Sequence, residues 1–270
     1  MATSKRGIRN EGNTCFIGAS IQSMLHNPAI YETIGADNVL WILKSDYERS
    51  NGADISPMSV VTHYARLNTE YKIGMQMDAL EAWLILQDSI APNGLGAKWN
   101  ITFGQKIECH QCACVSHTTH TEPIWLISIN EGLDSLEKAI SKELTMVILT
   151  ECYSCQNCTK TVSATKTRVL EYVPPYFGVA LKRFRQDGSK FAKDSHEVEI
   201  DQVQYMCGTK YQLSGFISHI GELNGGHYVY HHRHVEGWYL YNDQSVQLVG
   251  SGAERSMFKD AYILFYKTLT

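Results

Sequence analysis

Apolar residues in the first hundred positions recur at helical spacing. Between Cys15 and His26 they fall at Phe16, Ile17, Ile21, Met24 and Leu25, close to the period that lines one helix face, and Pro28 lies just past the run. Ser56-Pro57 reads as an N-cap followed by proline at the first helical position, opening a helix that runs to about Asn68. A third helix is predicted from Gln76 to Ile90 on Met77, Leu80, Trp83, Leu84 and Leu86, closed by Pro92, Asn93 and Gly94. From about Trp99 the pattern changes to β-branched and aromatic residues between turn signals, the mark of strands, and only Leu133 to Leu144 interrupts as a helix. Strands are predicted at 176–184, 211–220, 228–234 and 238–249, with a fifth at 262–266. The order is helices first and then an antiparallel sheet, an α+β arrangement with a cysteine-bearing insertion between. No internal repeat or low-complexity linker breaks it.

A chain of 270 residues at 44% apolar and 19% charged can bury one large core or two small ones, which excludes a disulfide-stapled mini-protein. The net charge of −4 is spread without long single-sign blocks, so neither nucleic acid nor an anionic membrane is an expected partner. No apolar stretch approaches the roughly 20 residues of a membrane span, and the opening MATSKRGIRNEGN lacks the apolar core of a signal peptide. Six of the eight cysteines fall in two tight clusters, Cys109/Cys112/Cys114 and Cys152/Cys155/Cys158, a spacing better suited to metal than to bridges across a fold. A soluble intracellular protein in a reducing compartment is expected.

Cys15 follows the turn-rich segment Gly7-Ile8-Arg9-Asn10-Glu11-Gly12-Asn13-Thr14, at the predicted start of a helix. The positive end of a helix dipole favours thiolate, so a nucleophile is plausible there, although an isolated cysteine is more often a small buried residue. A thiolate nucleophile needs a histidine to move its proton and a third group to orient that histidine. Of eleven histidines, His227 sits behind Gly225-Gly226, where backbone passes close to a ligand before a strand begins. Trp238-Tyr239-Leu240-Tyr241-Asn242-Asp243 belongs on the neighbouring strand, so an amide or carboxylate can meet the imidazole across the sheet. Alone, each segment is an ordinary hairpin edge.

Taken in order, Cys15 with its Gly-x-x-Asn-x-Gly-Asn-Thr lead, Gln76-Met77-Asp78-Ala79, Leu181-Lys182-Arg183-Phe184, Tyr211-x-Leu213 leading through His219 to Gly225-Gly226-His227-Tyr228, and Trp238-x-x-Tyr241-Asn242-Asp243 resemble the boxes of a ubiquitin-specific protease catalytic domain. The resemblance spans nearly the whole chain. It implies a papain-like cysteine peptidase shaped as a hand, with a helical thumb (1–98), zinc-bearing β fingers (99–170) and an antiparallel β palm (171–270). The activity implied is hydrolysis of the peptide or isopeptide bond after the C-terminal glycine of ubiquitin, through a thioester on Cys15, by a monomer in the cytoplasm or nucleus. By the same resemblance His227 is the general base and Asn242 its orienting partner, with Asp243 able to assist or substitute. Asn10 is an oxyanion donor alongside the Cys15 backbone N–H. Gln76, Asp78 and Glu81 would hold the extended tail of ubiquitin, their carboxylates facing its arginines, and Tyr228 would line the same channel.

Two Cys-x-x-Cys pairs on adjacent hairpin tips suit a closed, structural four-cysteine zinc site. The first pair is Cys109 and Cys112. Cys152/Cys155 and Cys155/Cys158 both have legal spacing for the second, and the family pattern of Tyr-x-Cys-x-x-Cys selects Cys155 and Cys158. His117 and His120 follow too closely on Cys112 for a finger of two cysteines and two histidines. His231, His232 and His234 read as surface residues, with only His232 and His234 on one face. The chain departs from the family pattern in the short stretch between Cys15 and Gln76, and in Glu81-Ala82-Trp83 and at Met77, the last two of which bear on the tail grip and so on the choice of modifier. Three competing readings remain: an inactive ubiquitin-binding relative, a protease for a ubiquitin-like modifier, and a zinc-dependent nucleic-acid module. The first would be expected to lack a triad residue, and the third would need a basic stripe beside the cysteines.

Overall fold

The computed structural model describes residues 5–49, 54–91, 96–129, 132–187, 190–222, 225–250, 252–253 and 256–269. The predicted closing residues Pro92, Asn93 and Gly94 lie outside that set, as does Asn224. Five helices come first: α1 (Cys15–Leu25), α2 (Pro28–Tyr31), α3 (Leu40–Glu48), α4 (Met58–Leu67) and α5 (Ala79–Ile90). Then come β1 (Ile101–Cys109), β2 (Val115–Glu122), β3 (Ile124–Ile127), α6 (Leu136–Glu143), β4 (Val147–Ser154) and β5 (Thr161–Tyr172). The remaining strands are β6 (Tyr176–Leu181), β7 (Phe184–Asp187), β8 (Lys190–Lys193), β9 (Val203–Met206), β10 (Thr209–Ile220), β11 (His227–His234), β12 (Gly237–Asn242), β13 (Ser245–Leu248) and β14 (Ala261–Thr268).

A large sheet runs β13-β12-β11-β10-β14-β6-β3 with β9 on β10, and a separate sheet runs β2-β1-β5-β4. The large sheet is antiparallel except that β3 pairs with β6 in parallel, so β3 leaves the neighbourhood of β1 and joins the β6 edge. Strand alternation divides its side chains between two cores. Ala180, Ile263 and Phe265 face α1, α3, α4 and α5, while Val179, Leu181, Leu264 and Tyr266 face α6 and the root of β1. Trp83 of α5 packs against Trp99, with ring centroids 5.4 Å apart, and both rings lie near Phe265.

Three local differences from the sequence pattern have simple causes. Pro28 does not merely follow α1: with Asn27 accepting from the Ala29 and Ile30 N–H groups it opens α2 as a first-position proline. The helix expected from Gln76 begins at Ala79 because Asp78 is its N-cap, accepting from the N–H groups of Leu80 and Glu81. The single strand expected at 238–249 is a hairpin, folded at Asp243-Gln244 so that Asn242 pairs with Ser245.

Candidate active site

The segment before α1 is tied both to the sheet and to the helical region. Ile8 N donates to Asp243 O at 2.9 Å and Arg9 N to Ile55 O at 2.8 Å. A side chain at Gly7 would sit 2.4 Å from Asp243 O and Gln244 backbone, so only glycine lets the segment cross the β12–β13 turn this closely. Gly12 and Asn13 then take positive φ, 83° and 58°, and turn the chain into α1. Thr14 N donates to Asn10 Oδ1 at 2.9 Å and Asn13 Nδ2 to Gly74 O at 2.8 Å, which fixes both ends of the turn. Cys15 is thereby held as the first residue of α1, 4% exposed, at the positive end of the helix dipole.

His227 opens β11 opposite Ile220, the last ladder pair of the β10–β11 hairpin. Its Nε2 donates to Asn242 Oδ1 at 2.8 Å, since an amide oxygen can only accept. The other ring nitrogen is left for Cys15, whose hydrogen bond is the main reason the imidazole is pushed up to about 9. Burial opposes that rise, and Asn242 and the charges of Cys15 and Asp243 add to it. Asp243 Oδ2 lies 3.8 Å from the same Nε2 and accepts from Asn10 Nδ2 at 3.1 Å. Strict strand alternation would send Asn242 and Asp243 to opposite faces, but Asp243 is a turn residue with φ 52°, which brings its carboxylate back toward the imidazole. Cys15, His227, Asn242, Asp243 and Asn10 therefore form one cluster, with Asn242 the direct partner of the ring.

The expected tail-binding residues lie beside it. Gln76 Nε2 donates to Gly226 O at 3.4 Å, and Tyr228 OH donates to Asp78 Oδ2 at 3.3 Å. Asp78 also accepts from Tyr262 OH at 2.9 and 3.0 Å and caps α5, so its carboxylate is largely committed inside the fold. Glu81 is exposed and accepts from Asn68 Nδ2 at 3.3 Å. No sequence motif marked Tyr262, because a tyrosine in an apolar strand looks like core until the chain is folded.

Cys109, Cys112, Cys155 and Cys158 come together at the tips of the β1–β2 and β4–β5 hairpins, their sulfurs all within 4.8 Å of one another. The two turns repeat one hydrogen-bond pattern. Cys109 N bonds Cys114 O and Ala113 N bonds Cys109 O; Cys155 N bonds Lys160 O and Thr159 N bonds Cys155 O. Ala113 and Thr159 take the matching left-handed φ, 55° and 57°. Sulfurs 3.9 Å apart for Cys109–Cys158 and 3.7 Å for Cys112–Cys155 match the ~3.8 Å edge of a tetrahedron with metal–sulfur bonds of about 2.3 Å. Four thiols this close can hold a metal ion. Cys114 and Cys152 are exposed and stand outside the group.

The histidine reading needs correction. His231 and His232 are 6% and 7% exposed, not surface residues. His231 stacks on Phe216 at 4.3 Å, while on the other face His232 lies 4.4 Å from the His26 ring. His26 and His234 both bond the Tyr241 hydroxyl, at 3.1 and 2.7 Å. A strand of the large sheet between two cores buries both of its faces, which the reading of these histidines as surface residues did not anticipate. His117 and His120 pair with Glu171 and Glu122, away from the four cysteines.

Comparison with known proteins finds relatives in both sequence and fold. Ubiquitin carboxyl-terminal hydrolase 21 of Arabidopsis thaliana is 26% identical over 306 residues, covering 96% of this chain and 41% of that protein. Probable ubiquitin carboxyl-terminal hydrolase 8 of Schizosaccharomyces pombe is 26% identical over 300 residues, covering 97% of this chain and 64% of that protein. The chain thus spans less than two thirds of the length of these relatives. A SAGA DUB module bound to monoubiquitin contains a chain of the same fold, with a TM-score of 0.86 at 20% identity over 99% of this chain and 70% of that one. The Ubp8/Sgf11/Sus1/Sgf73 module bound to ubiquitin aldehyde gives 0.81 at 18% identity, over 100% and 71%. The fold is α+β with a papain-like arrangement of helical thumb, β palm and cysteine-bearing fingers. Residues 6–266 match the ubiquitin carboxyl-terminal hydrolase family, and the chain belongs to that family.

Proposed function

We propose that the protein is a deubiquitinating cysteine protease that cleaves the peptide or isopeptide bond after the C-terminal glycine of ubiquitin. The observation that carries the reading is the Cys15–His227–Asn242 line, with the ring fixed by a 2.8 Å bond to Asn242 on one side and Cys15, the largest cause of its raised pKa, on the other. The Cys15 sulfur attacks the glycine carbonyl while His227 holds the thiol proton as imidazolium. The tetrahedral oxyanion takes hydrogen bonds from Asn10 Nδ2, whose second N–H is not needed by Asp243, and from the Cys15 backbone N–H. Collapse breaks the C–N bond, the amine leaves with the imidazolium proton, and a thioester remains. Water, deprotonated by His227, attacks the thioester; the thiolate leaves, regains its proton partner, and the ubiquitin carboxylate is released.

Gln76, Asp78, Glu81 and Tyr228 are the proposed walls of the tail channel. Glu81 is the exposed carboxylate and the better placed of the two for an arginine; Asp78 acts mainly by holding Tyr228. Two solved relatives are recorded with monoubiquitin and with ubiquitin aldehyde, which supports ubiquitin as the modifier. Zinc is the proposed occupant of Cys109, Cys112, Cys155 and Cys158, because four thiolates at this spacing suit its tetrahedral shell. When bound it cross-links the two hairpin tips and supplies folding free energy. The proposal places the protein in the cytoplasm or nucleus, where reactive and metal-binding thiols stay reduced. Hydrolysis of a fluorogenic ubiquitin C-terminal reporter tests the reading: native protein should turn it over and Cys15→Ala should not. Equal turnover by the two would refute it.

A further inference from the structure

Lys193, the last residue of β8, touches none of the proposed catalytic groups, yet its side chain is only 3% exposed. A buried ammonium must place each of its three protons on an acceptor. Nζ donates to His219 O at 2.7 Å and Gly221 O at 2.7 Å, and Asp260 Oδ1 lies 3.6 Å away. The two carbonyls take two of the three donors, and the Asp260 carboxylate, beyond hydrogen-bond distance, is an ion-pair partner.

The two carbonyls flank Ile220, the ladder partner of His227. Gly221, at φ 95°, starts the turn that returns the chain to His227, and a side chain there would come within 3.3 Å of Gly225 O and the Gly226 Cα. On the return side, Gly226 lies against the His219 ring, where an added Cβ would be 1.9 Å from Nε2. The two ends of the connection therefore lie against each other, and carbonyls at its β10 end are held by Lys193 of β8. The anchor behind Lys193 is firm as well. Arg183, 1% exposed, donates to Ala261 O at 2.6 Å, Asp194 O at 3.1 Å, His196 O at 2.9 Å and Lys259 O at 3.3 Å, which joins the chain just past Lys193 to the segment that carries Asp260. His219 N completes the frame by donating to Asp260 O at 3.0 Å.

We propose that Lys193 is a positioning residue: its ammonium pins the β10–β11 turn on both sides of Ile220 and so sets where His227 stands relative to Cys15. The inference rests on the reading of His227 as the base of a thiol peptidase. An ammonium is suited to the task because it holds two carbonyls that would otherwise repel, and one carboxylate balances its charge. Burial lowers the Lys193 pKa while Asp260 opposes that, and the nearby His219 is kept neutral, lowered to about 4 by its own burial first and by Lys193 next. The charges that face Lys193 are thus Asp260 and Glu222, which favour its ammonium form, and Arg183, which opposes it.

The test is a histidine NMR titration of the whole protein, native and Lys193→Met, with reporter kinetics alongside. Native His227 should titrate near 9 through its bond to Cys15. In Lys193→Met it should fall by at least about one unit toward its ordinary 6.5, kcat should fall about 10- to 100-fold as expected for a misplaced catalytic group, and KM should change by less than about threefold. Lys193→Arg, which keeps the charge and can reach two carbonyls, should recover much of both. An unchanged His227 titration in folded Lys193→Met overturns the proposal. If that variant does not fold, Asp260→Asn leaves the ammonium in place but weakens its hold; a smaller shift of His227 in the same direction supports the proposal, and none overturns it. The titration is independent of ubiquitin, so a native protein that shows these shifts without cleaving the reporter removes the protease reading alone. An active native protein with an indifferent Lys193→Met removes this inference alone.

Discussion

The imidazole of His227 has two partners of different kinds, and the distinction can be measured. Its folded pKa of about 9 stands above the ordinary 6.5, so the stability it contributes is complete below 6.5 and is lost as the pH rises through 9. The same proton is the one delivered to the leaving amine, so kcat/KM should fall on the alkaline side with an apparent pKa near 9. In Cys15→Ala the largest cause of the rise is gone, and the NMR titration of His227 should move down toward 6.5. Among the third-position candidates, the 2.8 Å bond favours Asn242 over Asp243 at 3.8 Å. Steady-state kinetics should show Asn242→Ala impaired more than Asp243→Ala, with Asn242→Asp retaining much of the activity; a fully active Asn242→Ala beside a dead Asp243→Ala would reverse the assignment. Asn10→Ala should lower kcat by about 10² to 10³, the usual effect of one lost oxyanion donor. These residues were readable from the sequence because the family boxes carry them as adjacent letters. Lys193, Tyr262 and the turn geometry of Asp243 were not, since each acquires its role from a neighbour remote in the chain or from one backbone angle.

At the scale of elements, the fingers and the α5 cap each make a separable claim. Cys112→Ser or Cys158→Ser should reduce bound zinc from about one per chain and lower the melting temperature, whereas Cys114→Ser and Cys152→Ser, outside the thiol cluster, should leave both nearly unchanged. Metal analysis with thermal denaturation decides it, and zinc lost from Cys152→Ser but kept by Cys158→Ser would move the second pair. Asp78→Ala removes the cap of α5, worth about 1 kcal/mol, and leaves the Tyr228 and Tyr262 hydroxyls without their acceptor, adding roughly 1–3 kcal/mol if they stay buried. Urea denaturation of Asp78→Ala and Asp78→Asn reads the sum. Strong periodicity made α1, α4, α5 and the long strands of the large sheet legible. Helix α3 was missed because Trp41 and Ile42, exposed beside buried Leu40 and Leu43, blur its apolar stripe. The short strands β7, β8 and β9 were missed because four residues carry too little pattern, and the parallel β3–β6 pairing because pairing partners leave no local mark.

Across the whole molecule, catalytic groups and buried histidines share a plan. Helix α1 carries Cys15 at one end and His26 near the other, β11 carries His227 and His232, and β12 carries Asn242 beside Tyr241. The helix–sheet interface that brings the triad together is thus also the one that buries His26 and His232, and protonating them would strain it. Burial lowers His26 to about 3, His231 and His219 to about 4, and His232 well below its ordinary value. A base whose folded pKa lies below its unfolded 6.5 contributes full stability above 6.5 and loses it as the pH falls toward the folded value. Each such histidine adds about 1.4 kcal/mol per pH unit in that window. Denaturation midpoints should therefore drop steeply between about pH 6.5 and 4, and His26→Asn should flatten the drop; a flat profile would contradict neutral burial. The central claim, that this fold presents Cys15 as the ubiquitin-directed nucleophile, is tested most directly by incubating the protein with ubiquitin carrying a C-terminal electrophile and mapping the product by mass spectrometry. The account predicts one adduct, on buried Cys15, with exposed Cys114, Cys152 and Cys207 unmodified and no adduct in Cys15→Ala. An adduct that persists in Cys15→Ala, or none on the native protein, would contradict it.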